Sequence, residues 1–83
     1  MTKYFFNVRT RLGYAADFEG MDLIDLRAAV TEAQQSALEL AADMLVRGVP
    51  LDGEQFEISD DVGTHLMTVR WIDAVEFEDV YLP

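Results

Sequence analysis

Leu26–Arg47 reads LRAAVTEAQQSALELAADMLVR, and this stretch decides the fold. Leu26, Val30, Ala33, Ala37, Leu40 and Met44 recur at spacings of four and three, which traces one face of an α-helix. Ala29, Ala41 and Leu45 widen that stripe, while Thr31, Glu32, Gln34, Gln35, Glu39 and Asp43 form the wet side. So many alanines on the dry face let the helix lie close to whatever it covers. Asp25 is placed to cap the N-terminus, because its carboxylate can accept from the orphan N–H groups of the first turn, and Asp22 is the competing cap. Gly48 supplies the left-handed C-terminal position, Arg47 complements the dipole, and Pro50 prevents resumption. At 1.5 Å per residue the helix spans roughly 33 Å, enough to cross a small sheet.

The flanking segments read as strands. Lys3–Arg9 is dense in aromatic and β-branched side chains, with Tyr4, Phe6 and Val8 on one face and Phe5, Asn7 and Arg9 on the other. One apolar and one mixed face belong to a sheet covered on one side only. Gly13 marks a turn, Tyr14–Phe18 offers a short hairpin partner, and Gly20-Met21-Asp22 reads as a break. After the helix, Gln55–Ser59 carries Phe56 and Ile58 on one face, Asp60–Gly63 is a turn, and Thr64–Ile72 returns as the second strand of a hairpin. Strict alternation groups His65 with Met67, Val69 and Trp71, and Leu66 with Thr68, Arg70 and Ile72; neither set is purely apolar. The fold class that follows is α+β. One long amphipathic helix packs on a three- to four-stranded antiparallel sheet in the order β-(β)-α-β-β. A single domain covers residues 1–73, followed by an acidic, aromatic tail at 74–83 in which Val75 and Phe77 alternate with Glu76 and Glu78 at strand spacing.

Composition excludes several functions. Without cysteine there is no disulfide, thiolate metal site or Cys nucleophile. Sixteen acids against six bases give a formal net charge of −10, which repels phosphate backbones and argues against nucleic acid. The aromatic residues could stack bases only with a basic surround that this chain lacks. The five glycines are isolated, with no phosphate-cradling motif and no Gly-x-Ser-x-Gly elbow. No secretory signal and no apolar run long enough for a membrane span is visible, so a cytoplasmic location is expected.

The opening Lys3-Tyr4-Phe5-Phe6-Asn7-Val8-Arg9, the Asp17-Phe18-Glu19-Gly20-Met21 step, Asp25-Leu26 and Ala28-Ala29 of the helix, and Phe56-Glu57-Ile58 through Asp60–Gly63 to Thr68-Val69 together resemble a family of short bacterial proteins catalogued as a domain of unknown function. The resemblance runs to about Val75. Members commonly carry His where this chain has Asn7, and Pro where it has Arg70, so no metal or acid–base role of that His carries over. The resemblance implies no established activity. A looser likeness is to the antitoxin-like fold of small toxin–antitoxin systems, from which two strands after the helix depart.

Three groups of residues are candidates for function. His65, the single histidine, could pair with Asp60 or Asp61 as orienter and with Ser59 or Thr64 as nucleophile, but consecutive strand residues diverge. Asp17, Glu19, Asp22 and Asp25 could hold Mg²⁺ or Ca²⁺ or act as an acid–base pair, as a small metal-dependent hydrolase would need. Their spacing matches no calcium loop, and acids before a helix complement its dipole. Lys3, Arg9 and Arg11 lie in an opening stretch that holds no acid before Asp17, and the tail ends in Val75, Phe77, Tyr81 and Leu82. These seven are the expected partner contacts, the basic strand pairing with acids within the chain or across a dimer and offering an acceptor for the tail as an added strand. Together these readings predict no catalytic, cofactor or metal residue. They predict a non-enzymatic interaction or regulatory module that forms a homodimer or meets a protein partner. An acidic, antitoxin-like inhibitor is a special case of that module.

Overall fold

A computed structural model describes residues 1–79, with side chains through Val75. The order is β1 (Thr2–Thr10), β2 (Gly13–Ala15), β3 (Met21–Leu23), α1 (Leu26–Val46), β4 (Gln55–Ser59), β5 (His65–Arg70) and α2 (Trp71–Asp79). The class is α+β, with one long helix on an open antiparallel sheet, and among the described residues the sheet has five strands.

α1 forms where its end signals place it. Asp25 is extended at φ −160° and its carboxylate accepts from Ala28 N–H at 2.8 Å. At the other end Gly48 takes φ +75°, Gly48 N–H donates to Leu45 O at 3.0 Å, and Val49 N–H donates to Met44 O at 2.8 Å. That pair of bonds is a Schellman closure, which the left-handed glycine makes possible. Ala29, Ala33, Ala37 and Ala41 are fully buried, so the dry stripe is a run of methyl groups at strict four-residue spacing. Leu40 and Leu45, expected on or beside that stripe, are instead 43% and 50% exposed. The alanines bring the helix backbone so near the sheet that a leucine would not fit beneath it. The larger side chains Leu26, Val30 and Met44 pack along the margins.

The strands lie in the order β2-β1-β4-β5, with β3 also paired to β1, all antiparallel. Phe6 stands opposite Ile58, Val8 opposite Phe56, and Phe56 opposite Val69. This register gathers Tyr4, Phe56, Ile58 and Val69 under α1, as alternation requires. Trp71 completes the core, its ring 5.5 Å from that of Phe56, and its Nε1 is buried without a hydrogen-bond partner among the described residues.

Three expectations are corrected. Gly20-Met21-Asp22 is not a break, because Met21–Leu23 pairs with Thr2–Tyr4 as β3. The return strand ends at Arg70, and Trp71 opens α2, which packs against α1. The strand spacing of Val75 and Phe77 is therefore not realised. Trp71, Ala74 and Val75 sit three and four residues apart, and all three pack in the core or against it. Finally, a register shift near Ile58 and Ser59 sets His65 opposite Ser59, which moves it off the face it would share with Met67 and Val69.

Candidate functional site

α1 covers one face of the sheet. The other face is built from Phe5, Asn7 and Arg9 of β1, Gln55, Glu57 and Ser59 of β4, and Thr68 with the shifted His65 of β5. Asn7 is a buried polar side chain here, 6% exposed, and every part of its amide is used. Its Nδ2 donates to Glu57 O at 2.9 Å and to Ser59 Oγ at 3.0 Å, and its Oδ1 accepts from Asp17 N–H at 3.0 Å. An amide suits this position because it donates and accepts from one planar group.

Asp17 ties down the loop that joins β2 to β3. Its Oδ2 accepts from Phe6 N–H at 3.0 Å, and its Oδ1 accepts from Glu19 and Gly20 N–H at 3.0 and 3.2 Å. Burial alone would push this carboxyl up, but the bonds from Phe6, Gly20 and Glu19 outweigh it and hold the group below the ordinary aspartate range. Gly20 turns the loop at φ +71°, and a Cβ there would sit 2.8 Å from Lys3 Cγ and 3.0 Å from the Phe5 ring. The loop needs glycine at this point for both reasons.

Glu57 accepts from Arg9 Nε at 2.5 Å and from Gln55 Nε2 at 2.9 Å. The Arg9 bond first, then that of Gln55, holds its carboxyl below the usual range. The Arg9 guanidinium also lies 4.7 Å from the centre of the Tyr14 ring, a cation–π distance. His65 Nε2 and Thr68 Oγ1 are 2.9 Å apart. A shallow basin on this face is lined by Phe5, Asn7, Ser59 and His65, with Asp17, Asp60 and Asp61 as its acid rim.

His65, Ser59, Asp60 and Asp61 line one basin, yet the side-chain hydrogen bonds of His65, Ser59 and Asp60 run to other partners. His65 bonds Thr68, while Asp60 Oδ1 accepts from Val62 and Thr64 N–H at 3.0 and 2.8 Å and so shapes the turn. Ser59 is engaged by Asn7. No nucleophile–base–orienter relay runs through these bonds. Of the four acids before the helix, Asp17 has both oxygens on backbone N–H groups, Asp25 caps α1, and Asp22 stands opposite Lys3 in the ladder. Among the described residues no group of three or more His, Asp or Glu converges as a metal site.

The basic strand is answered within the chain. Arg9 meets Glu57, and Arg11 Nε lies 2.9 Å from Asp52. β1 runs inside the sheet between β2 and β4, so it is no edge strand for a tail to join. Val75 packs against the core, while the Phe77 side chain, Tyr81 and Leu82 fall outside the described residues. Sequence reasoning overlooked Asn7. Its signal was a lone short amide inside an aromatic strand, on the face left without a helix.

Fold and site together define a two-layer α+β domain with one sheet face sealed by alanines and the other polar, rimmed by acid and, among the described residues, uncovered. The family model described as Domain of unknown function (DUF6894) matches residues 3–73, and the chain belongs to that family. No curated protein and no solved structure matches it. No helix among the described residues is long and apolar enough to cross a membrane.

Proposed function

We propose that the protein is a non-enzymatic interaction module that self-associates and takes a cationic segment of a protein partner on its uncovered sheet face. The observation that carries this reading is the acid rim of the basin, Asp17, Asp60 and Asp61, beside apolar groups open to solvent. Phe18, next to Asp17, is 90% exposed and Tyr14 is half exposed. Aromatic anchors beside complementary charge are what a protein partner uses for affinity and for fast, steered encounter. Four of the six basic residues pair with Glu57, Asp52, Asp43 and Asp73, and among the described residues no ion pair neutralises Asp17, Asp60 or Asp61, whose charge is therefore open to a partner's cations even where an oxygen already accepts from the backbone.

The test is an NMR titration with a short Arg/Leu peptide and with its Glu/Leu counterpart. The cationic peptide is expected to shift the amides of Asn7, Ser59 and Thr64, to weaken as salt rises, and to lose affinity several-fold in Asp60→Asn/Asp61→Asn. Indifference to the cationic peptide overturns the reading. Micromolar binding of Mg²⁺, Mn²⁺ or Ca²⁺ that shifts Asp17, Glu19 and Asp22 replaces it with a metal-dependent hydrolase.

A further inference from the structure

The sheet ends differently at its two sides. β2 is three residues long, and so short an edge is poorly suited to adding strands. β5 is six residues long and, among the described residues, pairs only with β4. It carries no Lys and no Pro, the residues that commonly blunt an edge. Trp71 N–H donates to Glu54 O, so by alternation Met67 and Val69 turn their main-chain groups toward β4 and Thr68 turns its own outward.

Beside this edge runs a groove of about 490 Å³ between α1, β5 and the start of α2. From α1 come Val30, Gln34 and Leu38, and from β5 come Met67 and Thr68. Among the described residues the charged members of its lining are Arg70 and Asp73, which bond each other at 2.6 Å. A chain of net charge −10 therefore has a groove whose described lining sums to zero, and residues 64–72 contain none of the sixteen acids.

We infer that the β5 edge and this groove are where a second copy of the chain docks, antiparallel about a two-fold axis near Thr68. This rests on the self-association in the function proposed above and names its site. Charge selects the occupant. A basic partner is drawn to the acid rim instead, and a nucleic acid is repelled by the chain as a whole. Two copies, each at −10, repel least where they meet through surface that carries no net charge. Pairing the outward groups of Thr68 with those of the second copy joins two sheets into one, and the neighbouring grooves close over Leu38 and Met67. The interface is isologous, so each substitution acts twice.

The experiment is light scattering of the full chain across concentration, at low and high salt. A dimer is expected, and it tightens as salt rises because the repulsion between like-charged copies is screened. Gln34→Glu/Gln35→Glu, at exposed helix positions, is expected to raise the dissociation constant at least tenfold at low salt and much less at high salt, with the circular dichroism of the monomer unchanged. Thr68→Pro, which blocks pairing at the edge, is expected to give a monomer. A monomer at every concentration and salt overturns the inference, as does a dimer indifferent to both variants. Peptide binding on the uncovered face weakens with salt while this dimer tightens. A monomer that still binds the cationic peptide therefore defeats only the dimer, and a dimer blind to the peptide defeats only the peptide site.

Discussion

The two faces of the sheet are held by different physics. Beneath α1, order comes from contact: four buried alanines meet Tyr4, Phe56, Ile58 and Val69, and no polar group is needed to place them. On the uncovered face, order comes from hydrogen bonds, with Asn7 joining β1 to β4 and to the Asp17 loop. The dry face is intolerant of volume and the wet face is intolerant of lost partners. Adjacent residues on one strand should therefore respond to quite different substitutions.

The largest contrast is expected between Ile58 and Ser59. Ile58→Ala removes a fully buried side chain and is expected to cost about 2–5 kcal/mol, whereas Ser59→Ala removes one hydrogen bond and costs about 1 kcal/mol. Urea melts of both variants measure the gap, and equal losses would erase the distinction between the faces. Next is Ala37→Leu, which inserts volume at a fully buried position of the helix and is expected to cost about 1–3 kcal/mol. A neutral result would mean the helix can lift away.

Asn7→Ala strands Asp17 N–H and Ser59 Oγ and is expected to cost about 1–3 kcal/mol, while Asn7→His, which keeps one donor and one acceptor, loses less. Acid sharpens the comparison further. The carboxyls of Asp17 and Glu57 are held below their ordinary values, so their contribution is complete above about pH 5 and is lost as pH falls through the lowered values. Thermal melts between pH 7 and pH 2 should show the melting temperature falling at the acid end, with a shallower fall in Asp17→Asn. The smallest effect belongs to Arg9→Gln, whose pairing with Glu57 is solvent-exposed on the arginine side. Its melting temperature should stay within the scatter of the measurement.

What could be read in advance follows the same division. α1 was legible because its caps and its period lie within one contiguous stretch, and Gln55–Ser59 because alternation is bounded by turn residues. β3 was not, because three residues carry no period and their partners Thr2–Tyr4 lie far off in the chain. α2 was misread because the alternation of Val75 and Phe77 imitates a strand, and the spacing of Trp71, Ala74 and Val75 is the only counter-signal in so short a segment. Alternation correctly put Phe5, Asn7 and Arg9 on one face. The bonds of Asn7 reach Glu57 and Ser59 fifty and more residues away, beyond what local pattern reveals. His65 was placed on the wrong face because a bulge depends on the partner strand.

The alanine stripe has one more consequence. A row of identical methyl groups fixes how near a helix lies to its sheet, yet it says almost nothing about position along the axis, since a slide of one turn would set each methyl where its neighbour had been. Longitudinal register must come from the extremities. Leu23 and Leu26 at one end, and Met44 and Leu51 at the other, are the side chains that act as stops.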